Sequence, residues 1–301
     1  MKAETCLNLC EIEEYSAIYP VISNVKEKII FDRIYVGSYF CDELFLNTNY
    51  HHLKTLLDKI SNSYKVTLVI PIFCQKNLKK GKELLIRLIE TYHHMIDEIT
   101  VNDYGILRWL SCFNSNHSEQ PYTAYMKNIK INMGRLFFKD YRDPRYEKYF
   151  ERNWKPKSFT EYLETSIQEY QINEIEIDVT HMLIDLSEVP DCIIGIHTPY
   201  TYMTTGKICE FASMFQPVQK KLRPNIDCSK ECLKSVIEYE VDQERKWFRI
   251  GRTIYFENNC IKISNYDDSI KNDEQNMTEI SVRLIYFPIN ELISYIKGEN
   301  E

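Results

Sequence analysis

Three cysteines in the second half of the chain have the residue type and spacing of metal ligands. Cys209 comes first, and Cys228 and Cys232 follow as a C-x3-C pair. The residues around this pair are polar, which argues against ordinary core packing. Thiolates bind zinc or the irons of an iron–sulfur cluster, and both kinds of site usually have four protein ligands. The spacing therefore predicts a metal or cluster site whose fourth ligand comes from elsewhere.

Two other cysteines are candidates for this fourth ligand. Cys41 follows a predicted strand that ends at Gly37, and the loops after the strands of a barrel converge at one end of it. Cys260 lies in a predicted turn after a later strand. We predict Cys41 as the fourth ligand and keep Cys260 as the alternative.

The remaining cysteines give weaker signals. Cys74, Cys112 and Cys192 lie on or beside apolar segments, so they are predicted to pack in the core. Cys6 and Cys10 form a second C-x3-C pair, which as a lone pair is weak evidence for a second site. The chain starts without the basic and apolar segments of an export signal. We therefore expect a cytoplasmic protein whose thiols are reduced.

Four further residues are candidates for catalysis or substrate binding. His197 ends a predicted buried strand and could act as an acid or base, or it could simply pack in the core. Asp103 could bind substrate at a barrel mouth, or it could cap the helix that begins near Tyr104. Arg142 and Arg145 flank a turn, and guanidinium groups suit a carboxylate or phosphate. Ordinary surface charge is the alternative for this pair.

The elements that must position these residues alternate between strands and helices. This alternation predicts an α/β fold with a parallel sheet. The fold is expected to be a TIM-barrel-like (β/α) barrel or, alternatively, an open doubly wound sheet. The alternation of strands and helices ends near residue 205. Residues 206–280 are therefore predicted as a cysteine-bearing loop and small β extension within one domain of residues 1–301. Residues 1–20 give no convincing strand. The strands are predicted at 33–36, 66–73, 98–101, 129–132, 174–179, 192–197, 247–250, 252–256 and 282–287, and the main helices at 49–61, 78–96, 159–170 and 289–296.

The composition limits the class of protein. Of 301 residues, 44% are hydrophobic and only 8 are Gly, which excludes a disordered chain. The net charge of −7 gives no global attraction to nucleic acid, and no apolar stretch is long enough to span a bilayer. The signatures of serine hydrolases (G-x-S-x-G), zinc proteases (H-E-x-x-H) and P-loop NTPases are absent from the sequence.

Short motifs between residues 30 and 265 together resemble one known family. In order they are Tyr35-Val36-Gly37 with Cys41, Asn102-Asp103-Tyr104-Gly105-Ile106-Leu107, His197, Gly206-Lys207-Ile208-Cys209 and Cys228-Ser229-Lys230-Glu231-Cys232. Their order and spacing are similar to the collagenase-like peptidase family, U32, in its short form. One departure is Tyr200-Thr201-Tyr202-Met203, where that family often has a further cysteine.

The resemblance implies a TIM-barrel-like fold in which Cys41, Cys209, Cys228 and Cys232 hold a 4Fe–4S cluster, with zinc as the alternative. Members of the family hydroxylate a quinone precursor or an RNA base without oxygen, some with prephenate as hydroxyl source. It therefore implies an enzyme, or enzyme subunit, of oxygen-independent hydroxylation.

On this hypothesis a small anionic substrate lies near Arg142 and Arg145, and a homologous subunit or redox partner is expected. RNA is not indicated by the net charge, and no membrane partner is expected. A peptidase or amide hydrolase on the same scaffold, and a non-catalytic cluster-bearing partner subunit, are the alternative functions.

Overall fold

The described residues of the computed structural model contain a closed barrel of eight parallel strands with helices around it. The structure describes residues 4–11, 22, 25, 30–47, 50–114, 123–138, 143–146, 161–178, 192–224, 226, 228–241, 245–258 and 281–297. The fold is the TIM-barrel-like α/β barrel that the sequence predicts. The barrel strands are β1 (Glu4–Asn8), β2 (Arg33–Gly37), β3 (Lys65–Ile70), β4 (Glu98–Val101), β5 (Lys130–Met133), β6 (Glu174–Asp178), β7 (Ile193–Thr198) and β12 (Val282–Tyr286).

A small antiparallel sheet, which we call the cap sheet, is inserted between the seventh and eighth barrel strands. Its strands are β8 (Tyr200–Thr205), β9 (Ile237–Tyr239), β10 (Trp247–Ile250) and β11 (Thr253–Glu257). Their spatial order is β8-β11-β10-β9. This sheet is the predicted small β extension, although it begins earlier than 206 because the strand at residues 200–205 was not predicted.

The helices bury one apolar stripe against the barrel. In α3, Leu85, Leu88, Ile89 and Tyr92 are buried at the spacing of a single helix face, as the periodicity predicts. The helices are α1 (Asp42–Leu46), α2 (Tyr50–Ile60), α3 (Leu78–Tyr92), α4 (Tyr104–Asn114), α5 (Thr123–Met126), α6 (Glu161–Tyr170), α7 (Glu210–Met214) and α8 (Ile289–Lys297), with 3-10 turns at Pro144–Tyr146, Val218–Lys220 and Glu231–Leu233.

The expectation of no strand in residues 1–20 was wrong. Strand β1 pairs in parallel with β2 on one side and with β12 on the other, so it closes the barrel. It was missed because it has only five residues and shows little alternation.

The amino-terminal end of the barrel interior is filled by charges rather than by aliphatic side chains. Arg283 donates to both oxygens of Glu98, at 2.6 and 2.9 Å, and also to Glu174. Arg33 lies 3.1 Å from Glu4 and 3.3 Å from Glu98. Branched apolar residues usually fill this space, so these ion pairs are needed to offset the loss of hydration.

Two interior carboxyl groups of β6, those of Glu174 and Glu176, have raised pKa values. Burial, opposed in part by Arg283, raises the pKa of Glu174 to about 7. Burial and then the negative charge of Glu174 raise the pKa of Glu176 to about 8. Glu176 accepts a hydrogen bond from Thr100 Oγ1 at 2.6 Å, and its other oxygen lies 2.9 Å from His197 Nε2. The folded interior therefore binds protons more tightly than the unfolded chain does.

This proton binding by buried carboxyl groups makes the stability of the fold depend on pH. A carboxyl whose pKa is raised by folding stabilises the fold fully below its unfolded value, near 4.5, and that contribution is lost as the pH rises through the folded value of about 8. We expect the free energy of unfolding to fall by about 1 kcal/mol for Glu176 alone between pH 7 and pH 9. Glu176→Gln, which cannot ionise, should reduce this fall in chemical denaturation measured at both pH values.

Glu83→Gln on the exposed face of α3 is the matched control and should leave the pH dependence unchanged. An identical loss of stability in the wild type and Glu176→Gln would contradict the assignment.

Candidate functional site

Four cysteines from three separate segments line one pocket beyond the carboxyl ends of β1 and β2. They are Cys41, Cys209, Cys228 and Cys232, and we call the space between them the cysteine pocket. The four residues that the resemblance assigns as cluster ligands therefore lie together. Cys260, the alternative fourth ligand, lies outside the described residues.

The loop that carries Cys41 is fixed by two backbone constraints. Gly37 ends β2 with φ +114°, and a Cβ there would lie 2.3 Å from the carbonyl oxygen of Val69, so only glycine fits. Glu11 Oε1 then accepts hydrogen bonds from Ser38 Oγ at 2.7 Å, Tyr39 N at 2.8 Å and Phe40 N at 3.2 Å. One buried carboxyl thus sets the conformation of the three residues before Cys41.

Cys41 itself caps helix α1. Its Sγ accepts a hydrogen bond from Leu44 N at 3.4 Å, and its own N–H donates to Ser38 Oγ at 2.9 Å. The thiol is therefore placed by a helix start rather than by a flexible loop.

The other three thiols come from short, tight elements. Cys209 immediately precedes α7, and Cys232 lies in the 3-10 turn Glu231–Leu233. Between the members of the C-x3-C pair, Lys230 has φ +62°, and its N–H donates to Cys228 Sγ at 3.3 Å. This left-handed residue turns the chain, so that both cysteines of the pair line the same pocket.

A buried ion pair forms one wall of the pocket. Arg252 follows the turn residue Gly251 in the β10–β11 hairpin, and its Nη2 donates to Cys41 Sγ and to Asp42 Oδ1, each at 2.9 Å. Asp42 Oδ2 also accepts from Cys74 N at 2.9 Å and from Asn77 Nδ2 at 3.0 Å. This carboxylate, only 1% exposed, holds the guanidinium against the thiol.

Burial opposes ionisation of the pocket thiols. It raises the pKa of Cys41 to about 11, against the lowering effect of Arg252, and it also raises the pKa of Cys228. The pKa of Cys232 is raised by burial and then by the thiolate charges of Cys41, Cys228 and Cys209. Ionisation of the other pocket thiols therefore disfavours ionisation of Cys232, and a bound cation would favour the thiolate forms.

The described residues hold no group of three or more His, Cys, Asp or Glu side chains arranged to bind one metal ion.

The predicted catalytic residues lie elsewhere. His197 is 1% exposed and pairs with Glu176 inside the barrel, with its ring edge-on to Tyr39 at 5.1 Å between centroids. Asp103 is the cap of α4, because its Oδ1 accepts from Ile106 N at 2.9 Å. Both residues therefore make the structural contacts that their alternative interpretations require, and a catalytic role for either stays a prediction.

The predicted anion-binding arginines are not brought to the pocket in the described residues. Arg145 is exposed, and its guanidinium pairs with Asp143 two residues earlier, with Nε at 2.8 Å from Oδ1. Arg142 lies outside the described residues. Among the described residues, the cations that line the cysteine pocket are instead Lys207, Arg223, Lys230 and Arg252.

The carboxyl end of the barrel is closed by the cap sheet. Arg135 is fully buried there, pairs with Asp178, and lies 5.1 Å from the ring centroid of Tyr202. A second core of mostly aromatic side chains covers the ion pair; it includes Tyr39, Phe40, Tyr200, Tyr202, Phe248 and Tyr255. In the described residues, the space above His197 is therefore occupied by protein.

The remaining cysteines follow the predictions only in part. Cys192 packs against the main core, but Cys112 is exposed, so its predicted core position was wrong; it lies on the outer face of α4. Cys74 is partly buried, and its N–H contributes to the shell around Asp42. Cys6 and Cys10 are fully buried in the second core and do not line the cysteine pocket.

The fold and site define a (β/α)₈-barrel protein with a cysteine-lined pocket at the rim of the barrel. No protein-family model matches the chain, and no curated protein is significantly similar to it in sequence. None of the helices in the described residues is long and apolar enough to cross a membrane.

The role of Glu11 leads to a test of how Cys41 is positioned. Glu11→Ala leaves two buried backbone N–H groups without an acceptor and should cost roughly 2–4 kcal/mol of stability in chemical denaturation. Glu11→Gln keeps one carbonyl oxygen and should cost less than about 1 kcal/mol. Labelling of Cys41 by a thiol reagent should be faster in Glu11→Ala than in Glu11→Gln. Equal stability and labelling in the two variants would show that the loop is held by other contacts.

Proposed function

We propose that the chain binds a 4Fe–4S cluster through Cys41, Cys209, Cys228 and Cys232 and acts in redox chemistry. The observation that supports this proposal is the presence of four cysteines, brought from three distant segments, around one pocket. Four thiols are the ligand set of such a cluster.

The number of thiols in the pocket fits a cluster, and zinc is the alternative cofactor. In a four-iron cluster each of the four thiolates binds a different iron.

The charges around the pocket support the same proposal. A 4Fe–4S cluster with four thiolate ligands has a net negative charge, and Lys207, Lys230, Arg223 and Arg252 all line the pocket. Arg252 is nearly buried, so its interaction with the pocket is weakly screened by water. These cations offset part of the charge that the bound cluster would carry.

The resemblance to the U32 family extends the proposal to oxygen-independent hydroxylation, as an enzyme or an enzyme subunit. When bound, the cluster would supply one-electron chemistry. The cationic residues of the pocket would attract a small anionic substrate, in place of Arg145, whose charge is already paired with Asp143.

A non-catalytic, cluster-bearing partner of a homologous subunit is the second candidate function. It is favoured by the closed mouth of the barrel, where His197 and Arg135 lie beneath aromatic side chains rather than beside an open cleft. Cluster binding without turnover by the pure protein, and turnover only with a co-purifying homologous subunit, would distinguish this role from an independent enzyme.

Anaerobic purification tests the cluster directly. We expect a brown protein with about four irons and four sulfides per chain and charge-transfer absorption near 400 nm. Cys209→Ser, Cys228→Ser and Cys232→Ser should each lose most of the iron. Cys41→Ser and Cys260→Ser together identify the fourth ligand, because only one of the two should lose the cluster.

Cys112→Ser is the matched control, since this thiol is exposed on α4 and does not line the pocket. It should keep the full iron and sulfide content. A colourless wild-type protein with one zinc, or with no metal after anaerobic reconstitution with iron and sulfide, would refute the proposal.

A further inference from the structure

We propose that Arg252 is a positioning residue that fixes Cys41 at the cluster and raises the reduction potential of the cluster by donating a hydrogen bond to the Cys41 sulfur. This inference rests on the proposed function. It concerns a residue that no sequence motif identified, and it follows from contacts at the cysteine pocket.

The first observation is the position of the β10–β11 hairpin. Its turn residue, Gly251, has φ +56°, and a Cβ built there would lie 3.8 Å from Cys232 Sγ. The next residue, Arg252, reaches Cys41 Sγ at 2.9 Å. The turn of the cap sheet therefore contacts Cys41 through Arg252 and passes close to Cys232 at Gly251.

The second observation is that the guanidinium is held in place before any ligand binds. Arg252 is 8% exposed, and the nitrogen that donates to Cys41 also donates to Asp42 Oδ1 at 2.9 Å. Asp42 is in turn fixed by Asn77 and by the backbone of Cys74. A donor whose direction is set by a buried carboxylate loses little further conformational entropy when it contacts a sulfur.

The expected electrostatic effect has a definite sign. Adding one electron to a cluster increases the negative charge on its sulfur ligands, so a cationic N–H donor stabilises the reduced form more than the oxidised form. Hydrogen bonds to the sulfurs and local charge are among the factors that set cluster potentials. In a partly buried site this interaction is stronger than it would be in water. Arg252 should therefore raise the reduction potential.

The chain offers a matched control on the same hairpin. Arg249 lies in β10 and pairs with Glu210, at 2.6 Å between Nη1 and Oε1, and it is not among the residues that line the cysteine pocket. Arg249→Met removes the same unit of charge from the same hairpin without removing a donor to a cysteine. The difference between Arg252→Met and Arg249→Met thus measures the effect of the Arg252 charge and hydrogen bond at Cys41, beyond the effect of removing one charge from the hairpin.

The test is an anaerobic dithionite titration of the one-electron couple in the purified full-length wild type and in the Arg252→Met, Arg252→Lys and Arg249→Met variants. Iron, sulfide and the electron paramagnetic resonance spectrum of the reduced protein are measured in each. Relative to Arg249→Met, Arg252→Met should favour the oxidised form on the order of tenfold, which is about 59 mV toward negative potential. Arg252→Lys keeps the positive charge but lacks the planar guanidinium with its several N–H donors. The reduction potential of this variant should therefore lie between those of Arg252→Met and the wild type.

The outcomes separate this inference from the proposed function. A wild type without iron and sulfide overturns both. A wild type with a cluster, and equal potentials in Arg252→Met and Arg249→Met, overturns the role of Arg252 alone. If Arg252→Met loses the cluster while Arg249→Met keeps it, positioning of Cys41 is supported. The reduction potential of Arg252→Lys then tests the hydrogen bond, because Lys keeps the charge; a potential equal to that of the wild type would overturn this part of the proposal.

Discussion

The charges enclosed in the barrel are the constraint on which the rest of the structure depends. Strand β6 places Glu174, Glu176 and Asp178 at every second position, so all three carboxyl groups face inward and are buried. Such burial is costly without partners. Arg283, on the last barrel strand, supplies a cationic partner. Its guanidinium contacts carboxyl groups of β1, β4 and β6. The return of β12 to the barrel after the long insertion is therefore stabilised by ion pairs as well as by strand pairing.

The same constraint explains the cap sheet. At the carboxyl end of the barrel, the pair Arg135–Asp178 has no exposed surface, and aromatic side chains exclude water from it. The sheet that supplies Tyr200, Tyr202 and Tyr255 to this cover also carries the hairpin with Arg252. One insertion therefore closes the barrel and builds a wall of the cysteine pocket, which couples the geometry of the pocket to the packing of the interior.

The sequence predicts the barrel better than it predicts the interior. Hydrophobic periodicity locates most strands and the long helices, because apolar faces repeat at distinct spacings. The alternation in residues 174–178 indicates a strand, but it does not reveal that the acidic face is the buried one, since polar positions of a strand usually face water. The cysteine spacing and the family resemblance identify the pocket residues. Arg252 and Glu11 escape prediction, because each acts through contacts with segments distant in sequence that form only in the folded chain.

The pocket lies at the rim of the barrel and not over its axis, and this placement bears on any chemistry proposed for it. Because His197 is 1% exposed and its ring lies edge-on to Tyr39, it does not face an open cleft among the described residues. At the rim, Arg252 is buried, whereas Lys207, Lys230 and the four pocket thiols are half-buried. Among the charged lining residues that reach the surface, three are cationic, Lys207, Arg223 and Lys230, and one, Glu43, is anionic. This excess of cations favours anions and disfavours the cationic groups of peptides, so the pocket suits the proposed hydroxylation of an anionic substrate better than peptide hydrolysis.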